Sequence, residues 1–180
     1  MSHVTPHVLL LTGVPGVGKT TIIRTLAERL RPRPLSGFYT EEIRSHSQRQ
    51  GFRLVTLAGE SAVIAHTEFP KTQRVGRYGV DVAAIDTVSD QVLSPAAGAI
   101  HLVDEIGKME CLSTRFVAAM RRLLDSQAVV VATVGQRGGG FIVEVKRRPD
   151  TVLWEVTRAN REELPAHALD WIVRHEPSSS

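Results

Sequence analysis

The N-terminal segment reads VLLLT over residues 8–12 and GVPGVGKT over residues 13–20. Its first part is an unbroken apolar run, which is typical of a strand buried on both faces of a parallel sheet. Its second part fits the pattern G-x-x-x-x-G-K-[ST], and apolar residues at helical spacing follow it from Ile22 to Leu30. A strand, a glycine-rich loop and a helix in this order predict a phosphate-binding loop.

Each part of this loop has a physical role toward a polyphosphate. Glycines let backbone amides approach phosphate oxygens that a side chain would block. The helix that begins at Lys19 adds its N-terminal amides and dipole. We expect Lys19 to bind the β- and γ-phosphates, and we expect the hydroxyl of Thr20 to ligate Mg²⁺.

A second apolar run ends in two adjacent acids, because Asp104 and Glu105 follow the segment IHLV at residues 100–103. We expect Asp104 to hold Mg²⁺ through water and Glu105 to polarise the attacking water as general base. Both acids could instead be loop or capping residues, and Glu110 is an alternative base. Lys108 could balance charge on the γ-phosphate or be a surface lysine.

The rest of the chain alternates strands with helices, which predicts a three-layer α/β domain with a mostly parallel sheet. Strands are expected at residues 37–44, 52–57, 77–82, 99–103, 128–133 and 152–156, and helices at 19–31, 84–93, 114–125 and 161–175. The polar segment 45–51 predicts a hairpin inserted after the first helix. We expect one domain over residues 1–175, with disorder in the first few residues and in the tail 176–180.

Composition narrows the class of protein. Twenty-two basic and nineteen acidic residues give a net charge of +3, which suits anionic small molecules as well as nucleic acid. The apolar runs 8–11 and 128–132 are too short to span a membrane, and Cys111 is the only cysteine, so no intramolecular disulfide can form. Without a leader-like N-terminus we expect a cytoplasmic protein. The basic cluster 146–148 has no interleaved aromatics and favours solvated surface over a nucleic-acid face.

Several polar residues have two interpretations at this point. Arg44, Arg74 or Arg77 could stabilise a transition state, with Arg74 or Arg77 preferred, or be solvated. Thr133 could sense the γ-phosphate or have no role. Asn160 could cap the final helix, and Arg161 could stack on a base or pair with a phosphate.

The chain resembles a known family through motifs that extend over residues 8–165. These motifs are GVPGVGKTT (13–21), GFYTEEIR (37–44), GF (51–52) with VTL (55–57), RVGRYGVD (74–81), VDEIGKME (103–110) and VT (156–157) with NR (160–161). They are similar to those of the small nucleoside-triphosphatases of the bacterial and archaeal thermophile-type group, whose human relative is the cancer-related nucleoside-triphosphatase.

This resemblance implies a RecA-like P-loop domain, usually monomeric, that hydrolyses ATP, GTP and other nucleoside triphosphates with loose base selectivity. The nucleotide-binding residues that it implies, together with Arg161, are Gly13, Val14, Pro15, Gly16, Val17, Gly18, Lys19, Thr20, Thr21, Leu102, Val103, Asp104, Glu105, Ile106, Gly107 and Lys108. One departure is the segment GQRGGG at residues 135–140, which is richer in glycine than the family pattern and predicts a flexible loop.

Three functions remain open from the sequence. The first is Mg²⁺-dependent hydrolysis of nucleoside triphosphates. The second is a nucleotide or small-molecule kinase, for which Arg44, Arg74 and Arg77 could furnish a lid. The third is a nucleotide-gated binding switch with low turnover. A guanine-only switch is disfavoured, because Asp104 to Gly107 fits D-x-x-G but the chain has no Asn-Lys-x-Asp.

Overall fold

The computed structural model describes residues 4–177, and within them the chain forms one nine-stranded sheet and five α-helices. The strands are β1 (Val8–Thr12), β2 (Leu35–Ser45), β3 (Gln48–Thr56), β4 (Ser61–His66), β5 (Arg74–Val75), β6 (Tyr78–Val80), β7 (Ile100–Ile106), β8 (Val130–Val134) and β9 (Thr151–Glu155). The helices are α1 (Lys19–Arg29), α2 (Val82–Val92), α3 (Thr114–Asp125), α4 (Phe141–Lys146) and α5 (Leu164–His175), with a 3₁₀ turn at Glu110–Leu112.

The sheet has a parallel half and an antiparallel half. Its strand order is β5-β6-β4-β3-β2-β7-β8-β1-β9, in which β2, β7, β8, β1 and β9 run parallel and the other neighbours pair antiparallel. Strand β2 belongs to both halves, because Leu35–Phe38 pairs with β7 and Phe38–Ser45 pairs with β3. The fold is therefore α/β with a mixed sheet.

Strand β1 contributes to a hydrophobic core on each face of the sheet. Leu9 and Leu11 pack with α1 and α5, while Val8 and Leu10 pack with residues of α2, α3 and α4. These four side chains are fully buried. The unbroken apolar run therefore has the physical cause that the sequence predicts, since neither face of β1 meets solvent.

The antiparallel half differs most from the sequence expectation. The turn between β2 and β3 is only His46 and Ser47, with φ of 47° and 65°, and β3 begins at Gln48 rather than Phe52. Strands β4 and β5 were not predicted. The two buried residues of β4, Ile64 and Ala65, are adjacent, and β5 has only two residues, so neither strand shows a period of two.

The ends of several other elements shift by a few residues. Helix α1 ends at Arg29, and α5 begins at Leu164, three residues later than expected. Strand β7 continues to Ile106, so Asp104 and Glu105 lie within it. Of the tail predicted to be disordered, residues 178–180 lie outside the described range, as do residues 1–3, and Glu176 pairs with Arg33 at 2.7 Å. No helix between residues 4 and 177 has the length and apolarity to cross a membrane.

Replacing Gly37 by alanine is expected to destabilise the protein severely. Gly37 has a φ of +126°, and a Cβ there would overlap the carbonyl oxygen of Leu102, its neighbour in the β2–β7 pairing. We expect Gly37→Ala to lower the free energy of unfolding by about 3 kcal/mol or more, measured by denaturant titration.

Gly59→Ala is the matched control for Gly37→Ala. Gly59 also has a positive φ, of +101°, but nothing lies within 4 Å of a Cβ built there. We expect this variant to lose only about 1 kcal/mol, the cost of the backbone conformation. Equal losses in the two variants would show that the contact with Leu102 contributes nothing.

Candidate active site

The glycine-rich loop joins the end of β1 to the start of α1. Gly18 is the N-cap of α1, with a φ of 116°, and no side chain caps the first turn of the helix. The first-turn N–H groups therefore lack a side-chain acceptor and can bind an anion. The loop has the local structure that phosphate binding requires.

Lys19, the first residue of α1, has a largely buried side chain that reaches back to the start of the loop. Its Nζ donates a hydrogen bond to the carbonyl oxygen of Gly13 at 2.8 Å and lies 3.6 Å from Oε2 of Glu105. Glu105 lies on β7, so this ion pair joins the start of α1 to β7. The structure thus brings together the two residues that the sequence assigned to the phosphate and the attacking water.

Asp104 is held by three threonines from three different elements. Thr20 of α1 donates to its Oδ2 at 2.7 Å, and Thr133 of β8 donates to its Oδ1 at 2.7 Å. The backbone N–H of Thr40 in β2 donates to Oδ2 at 3.1 Å, and its hydroxyl donates to the main-chain oxygen of Asp104 at 2.5 Å. The carboxylate therefore has a fixed orientation toward α1.

The environment of Asp104 pulls its pKa in two directions. Burial raises the pKa of the carboxyl, while the hydrogen bonds from Thr133, Thr40 and Thr20 and the charge of Lys19 lower it. Burial has the largest effect, so the pKa lies above its ordinary value. An oxygen ligand set made of a buried carboxylate and a hydroxyl 2.7 Å apart fits a hard divalent cation. Asp104 and Thr20 are the residues that would hold it.

Two further carboxyls meet at Gly107. A Cβ built on Gly107 would lie 2.6 Å from Oε1 of Glu105 and 2.8 Å from Oε2 of Glu110. Burial, and then the charges of Glu105 and Asp104, raise the pKa of Glu110 to about 8. Burial also raises the pKa of Glu105, and the charge of Lys19 opposes it. A base with a raised pKa is suited to taking a proton near neutral pH.

The other predicted nucleotide-binding residues divide into three groups. Val14, Pro15, Gly16 and Thr21 are exposed around the loop. The side chains of Leu102, Val103, Ile106 and Val17 are buried in the two cores, so only their main-chain groups are available to a nucleotide. Lys108 lies on the exposed turn after β7, and within residues 4–177 its side chain makes no hydrogen bond or ion pair. Thr40 is a site residue that the sequence analysis missed.

Arg161 reaches the phosphate loop from the segment after β9. Its Nη1 donates to the carbonyl oxygen of Val17 at 3.2 Å, and its Cδ would lie 3.5 Å from a Cβ on Gly18. Asn160 does not cap α5, whose N-cap is Glu163. Its Oδ1 instead accepts a hydrogen bond from the N–H of Thr157 at 2.8 Å, which fixes the turn that presents Arg161.

The three candidate arginine fingers lie in the antiparallel half. Arg44 pairs with Glu42 at 2.6 Å, and Arg77 donates to the carbonyl oxygen of Arg49. Arg74 is exposed on β5, and four strands separate β5 from β7. The structure does not bring Arg74 to the phosphate loop, and Arg44 and Arg77 are engaged with other groups. Thr133 binds Asp104, which gives it a role other than sensing a phosphate.

The glycine run at residues 138–140 makes the turn that precedes α4, and its predicted flexibility stays a prediction. Gly138 and Gly140 have φ of 145° and 54°, and a Cβ on Gly138 would lie 2.5 Å from Cδ1 of Ile142. These glycines let the chain turn into α4, a helix that was not predicted.

Cys111 is half-buried against one core, and burial with the charges of Glu110 and Glu105 raises its pKa to about 12.

Strand β1, the glycine loop with an uncapped helix after it, and the buried carboxylate on β7 together define an α/β nucleotide-binding protein. The family model described as NTPase matches residues 8–169. The chain is 39% identical over 158 residues to the nucleoside-triphosphatase THEP1 of Thermotoga maritima, covering 87% of this chain and 90% of that protein. It is 37% identical over 188 residues to the cancer-related nucleoside-triphosphatase homolog of Bos taurus, covering 95% and 97% of the two chains.

A solved structure supports the same assignment. The crystal structure of THEP1 from the hyperthermophile Aquifex aeolicus matches with a TM-score of 0.84 and 34% identity, over 92% of this chain and 98% of that one. The chain therefore belongs to the NTPase family of enzymes, as the motifs predicted.

The raised pKa of Glu110 predicts a pH-dependent stability. Between the unfolded value of 4.5 and about 8 the folded chain holds a proton that the unfolded chain loses. The contribution of Glu110 to the free energy of unfolding should therefore be greatest below pH 4.5. Between pH 4.5 and about 8 it should fall by at most about 1.4 kcal/mol per pH unit. In EDTA, Glu110→Gln should flatten this slope between pH 5 and 8, measured by denaturant titration.

Glu60→Gln is the control for Glu110→Gln, because Glu60 is exposed on a turn. It should leave the pH dependence of the free energy of unfolding as in the wild type. A slope in Glu110→Gln equal to that of the wild type would show that the Glu110 carboxyl has an ordinary pKa.

Gly107→Ala should slow turnover by at least about tenfold, because the added methyl group would displace Glu105 and Glu110. Gly107 does not have a positive φ, so the change adds only a contact. Gly139→Ala is the control, since Gly139 also lacks a positive φ and has open space around it. Phosphate release measures the effect, and equal rates in both variants would refute the close approach at Gly107.

Proposed function

We propose that this protein hydrolyses nucleoside 5′-triphosphates to the diphosphate and phosphate in a Mg²⁺-dependent reaction. The observation that carries the proposal is the meeting of Lys19 with Glu105 at 3.6 Å beside the contact of Thr20 with Asp104 at 2.7 Å. The loop that binds phosphate, the candidate metal ligands and a candidate base thus lie together. The names of the relatives, nucleoside-triphosphatases, support the same reaction.

Thr20 and Asp104 would hold Mg²⁺, which when bound neutralises charge on the β- and γ-phosphate oxygens. Asp104 is fixed by Thr40 and Thr133, so its carboxylate needs little reorganisation to bind a cation. Lys19 and the amides of the loop and first turn of α1 bind the phosphates. Lys19 can exchange its contact with the Gly13 carbonyl for a phosphate oxygen, because an ammonium has three donors.

Glu105 is the proposed general base. Its side chain is 34% exposed, so water reaches it, while Lys19 holds it toward the loop. Water attacks the γ-phosphorus as Glu105 accepts its proton, and the bond from the γ-phosphorus to the β,γ-bridging oxygen breaks. The diphosphate leaves with the electron pair, and the charge is stabilised by Lys19 and the loop amides.

The strand order supports the RecA-like arrangement that the resemblance implied. Strand β8 lies between β1, which precedes the phosphate loop, and β7, which carries Asp104. The antiparallel pair β2–β3 then extends the sheet beyond β7. We assign the inserted hairpin of the sequence prediction to this pair, with β4 as a third strand.

Loose base selectivity also belongs to this proposal. Arg161 lies on the phosphate loop through Val17, where its guanidinium could stack on any base. We retain a cytoplasmic monomer as the expected form of the enzyme. The kinase alternative gains no support, because Arg44 and Arg77 are bonded to Glu42 and to the Arg49 carbonyl instead of forming a lid.

Phosphate release from ATP, GTP, CTP and UTP tests the proposal directly. The wild type should hydrolyse all four with Mg²⁺ and none in EDTA. Glu105→Gln should lose at least about 100-fold in turnover and keep its affinity for ATP, because the amide cannot accept the proton. Glu163→Gln, an exposed acid at the start of α5, should behave as the wild type.

Two results would contradict the proposal. Tight binding of triphosphate with no phosphate release would favour the kinase or the switch, and added acceptors would separate those two. Full turnover in Glu105→Gln would remove Glu105 as the base and leave Glu110 to be tested in the same assay.

A further inference from the structure

Lys146 is a second lysine at the phosphate end of the sheet, and the sequence placed it in a solvated basic cluster. It is the last residue of α4, and its Nζ donates to the carbonyl oxygens of Gly135 and Gln136 at 2.7 and 3.1 Å. These carbonyls directly follow β8, two and three residues after Thr133, which binds Asp104. Since β8 lies between β1 and β7, the ammonium is at the edge where the site is built.

The glycine run explains why the side chain reaches this edge. The turn at Gly138 and Gly140 reverses the chain into α4, and Ile142 and Val145 then pack into the core. Lys146 follows Val145 and is directed back over the end of β8.

The charge of Lys146 has no local partner. It is half-buried, and between residues 4 and 177 no carboxylate lies within 4.0 Å of its Nζ. The nearest acid in sequence, Glu144, instead forms an ion pair with Arg121 at 2.6 Å. Burial, and after it the positive charge of Lys19, lowers the pKa of Lys146. A nearby like charge disfavours the charged form of a lysine, and an anion bound beside both ammonium groups favours it.

We propose that Lys146 binds the γ-phosphate of the nucleotide and stabilises the charge that develops on it during hydrolysis. Two of its three N–H donors contact the carbonyls, which aims the group and leaves one donor free. A fixed cation at a transferring phosphoryl group acts as an arginine finger does, and here it comes from the same chain. Lys146 fills the role that the sequence offered to Arg74 or Arg77. This assignment rests on the proposed hydrolysis.

The test compares Lys146→Gln with Lys146→Met and with Arg147→Gln. The glutamine amide can still donate to the loop carbonyls but has no charge, whereas methionine removes both donor and charge. Arg147 is the adjacent exposed cation and serves as the control. We expect both Lys146 variants to lose about 100-fold in kcat, with ADP affinity within about threefold of the wild type and Arg147→Gln unchanged.

Affinity for MgADP with aluminium fluoride, a mimic of the transferring phosphoryl group, should fall by a similar factor in both Lys146 variants. A lysine that only caps the loop after β8 would give a different pattern. Lys146→Gln would then turn over within about threefold of the wild type, and Lys146→Met would show mainly a lower melting temperature. That pattern would overturn the proposal.

Binding of ATPγS and ADP separates this inference from the proposed function. A wild type that releases no phosphate would refute hydrolysis but would leave the γ-phosphate contact testable. Lys146→Gln should then lower the affinity for ATPγS by a factor at least tenfold larger than that for ADP. Equal effects on the two nucleotides would refute the contact whether or not the wild type hydrolyses ATP.

Discussion

The buried carboxylate of Asp104 is the constraint on which the rest of the site depends. A charged group away from water is tolerated only when it is hydrogen-bonded, and here donors come from α1, β2 and β8. Each donor fixes one structural neighbour: the helix after the phosphate loop, the strand that enters the antiparallel half, and the strand between β1 and β7. The orientation of the Asp104 carboxylate therefore depends on the relative positions of α1, β2 and β8.

Much of this could be predicted from sequence because short, local chemistry determines it. The apolar run of β1, the glycines before Lys19 and the acids after an apolar strand are adjacent in sequence, and each has one common physical cause. The span of α3, Thr114–Asp125, was also predicted, since its apolar residues recur at helical spacing and Ser113 caps it through the N–H of Phe116. The parallel α/β architecture followed from these elements.

The residues that were missed act across the sheet. Thr40 is an ordinary strand residue in the sequence, and only the pairing of β2 with β7 brings it to Asp104. In the sequence Lys146 is one residue of a basic cluster. Its contact with the carbonyl oxygen of Gly135 depends on the turn made by Gly138 and Gly140. Outer strands such as β4 carry too few buried residues to show a period. Long-range strand pairing places Thr40 and β4, and local propensity does not report it.

Strand β2 is a single uninterrupted element that leaves the parallel half at Phe38 and continues seven residues into the antiparallel half. Thr40 lies two residues past that junction and is bonded to Asp104 through both its amide and its hydroxyl. The antiparallel half is thus connected to the Asp104 carboxyl through one continuous strand. A substitution that displaces β2 beyond Phe38 would therefore also disturb the two hydrogen bonds that Thr40 makes to Asp104.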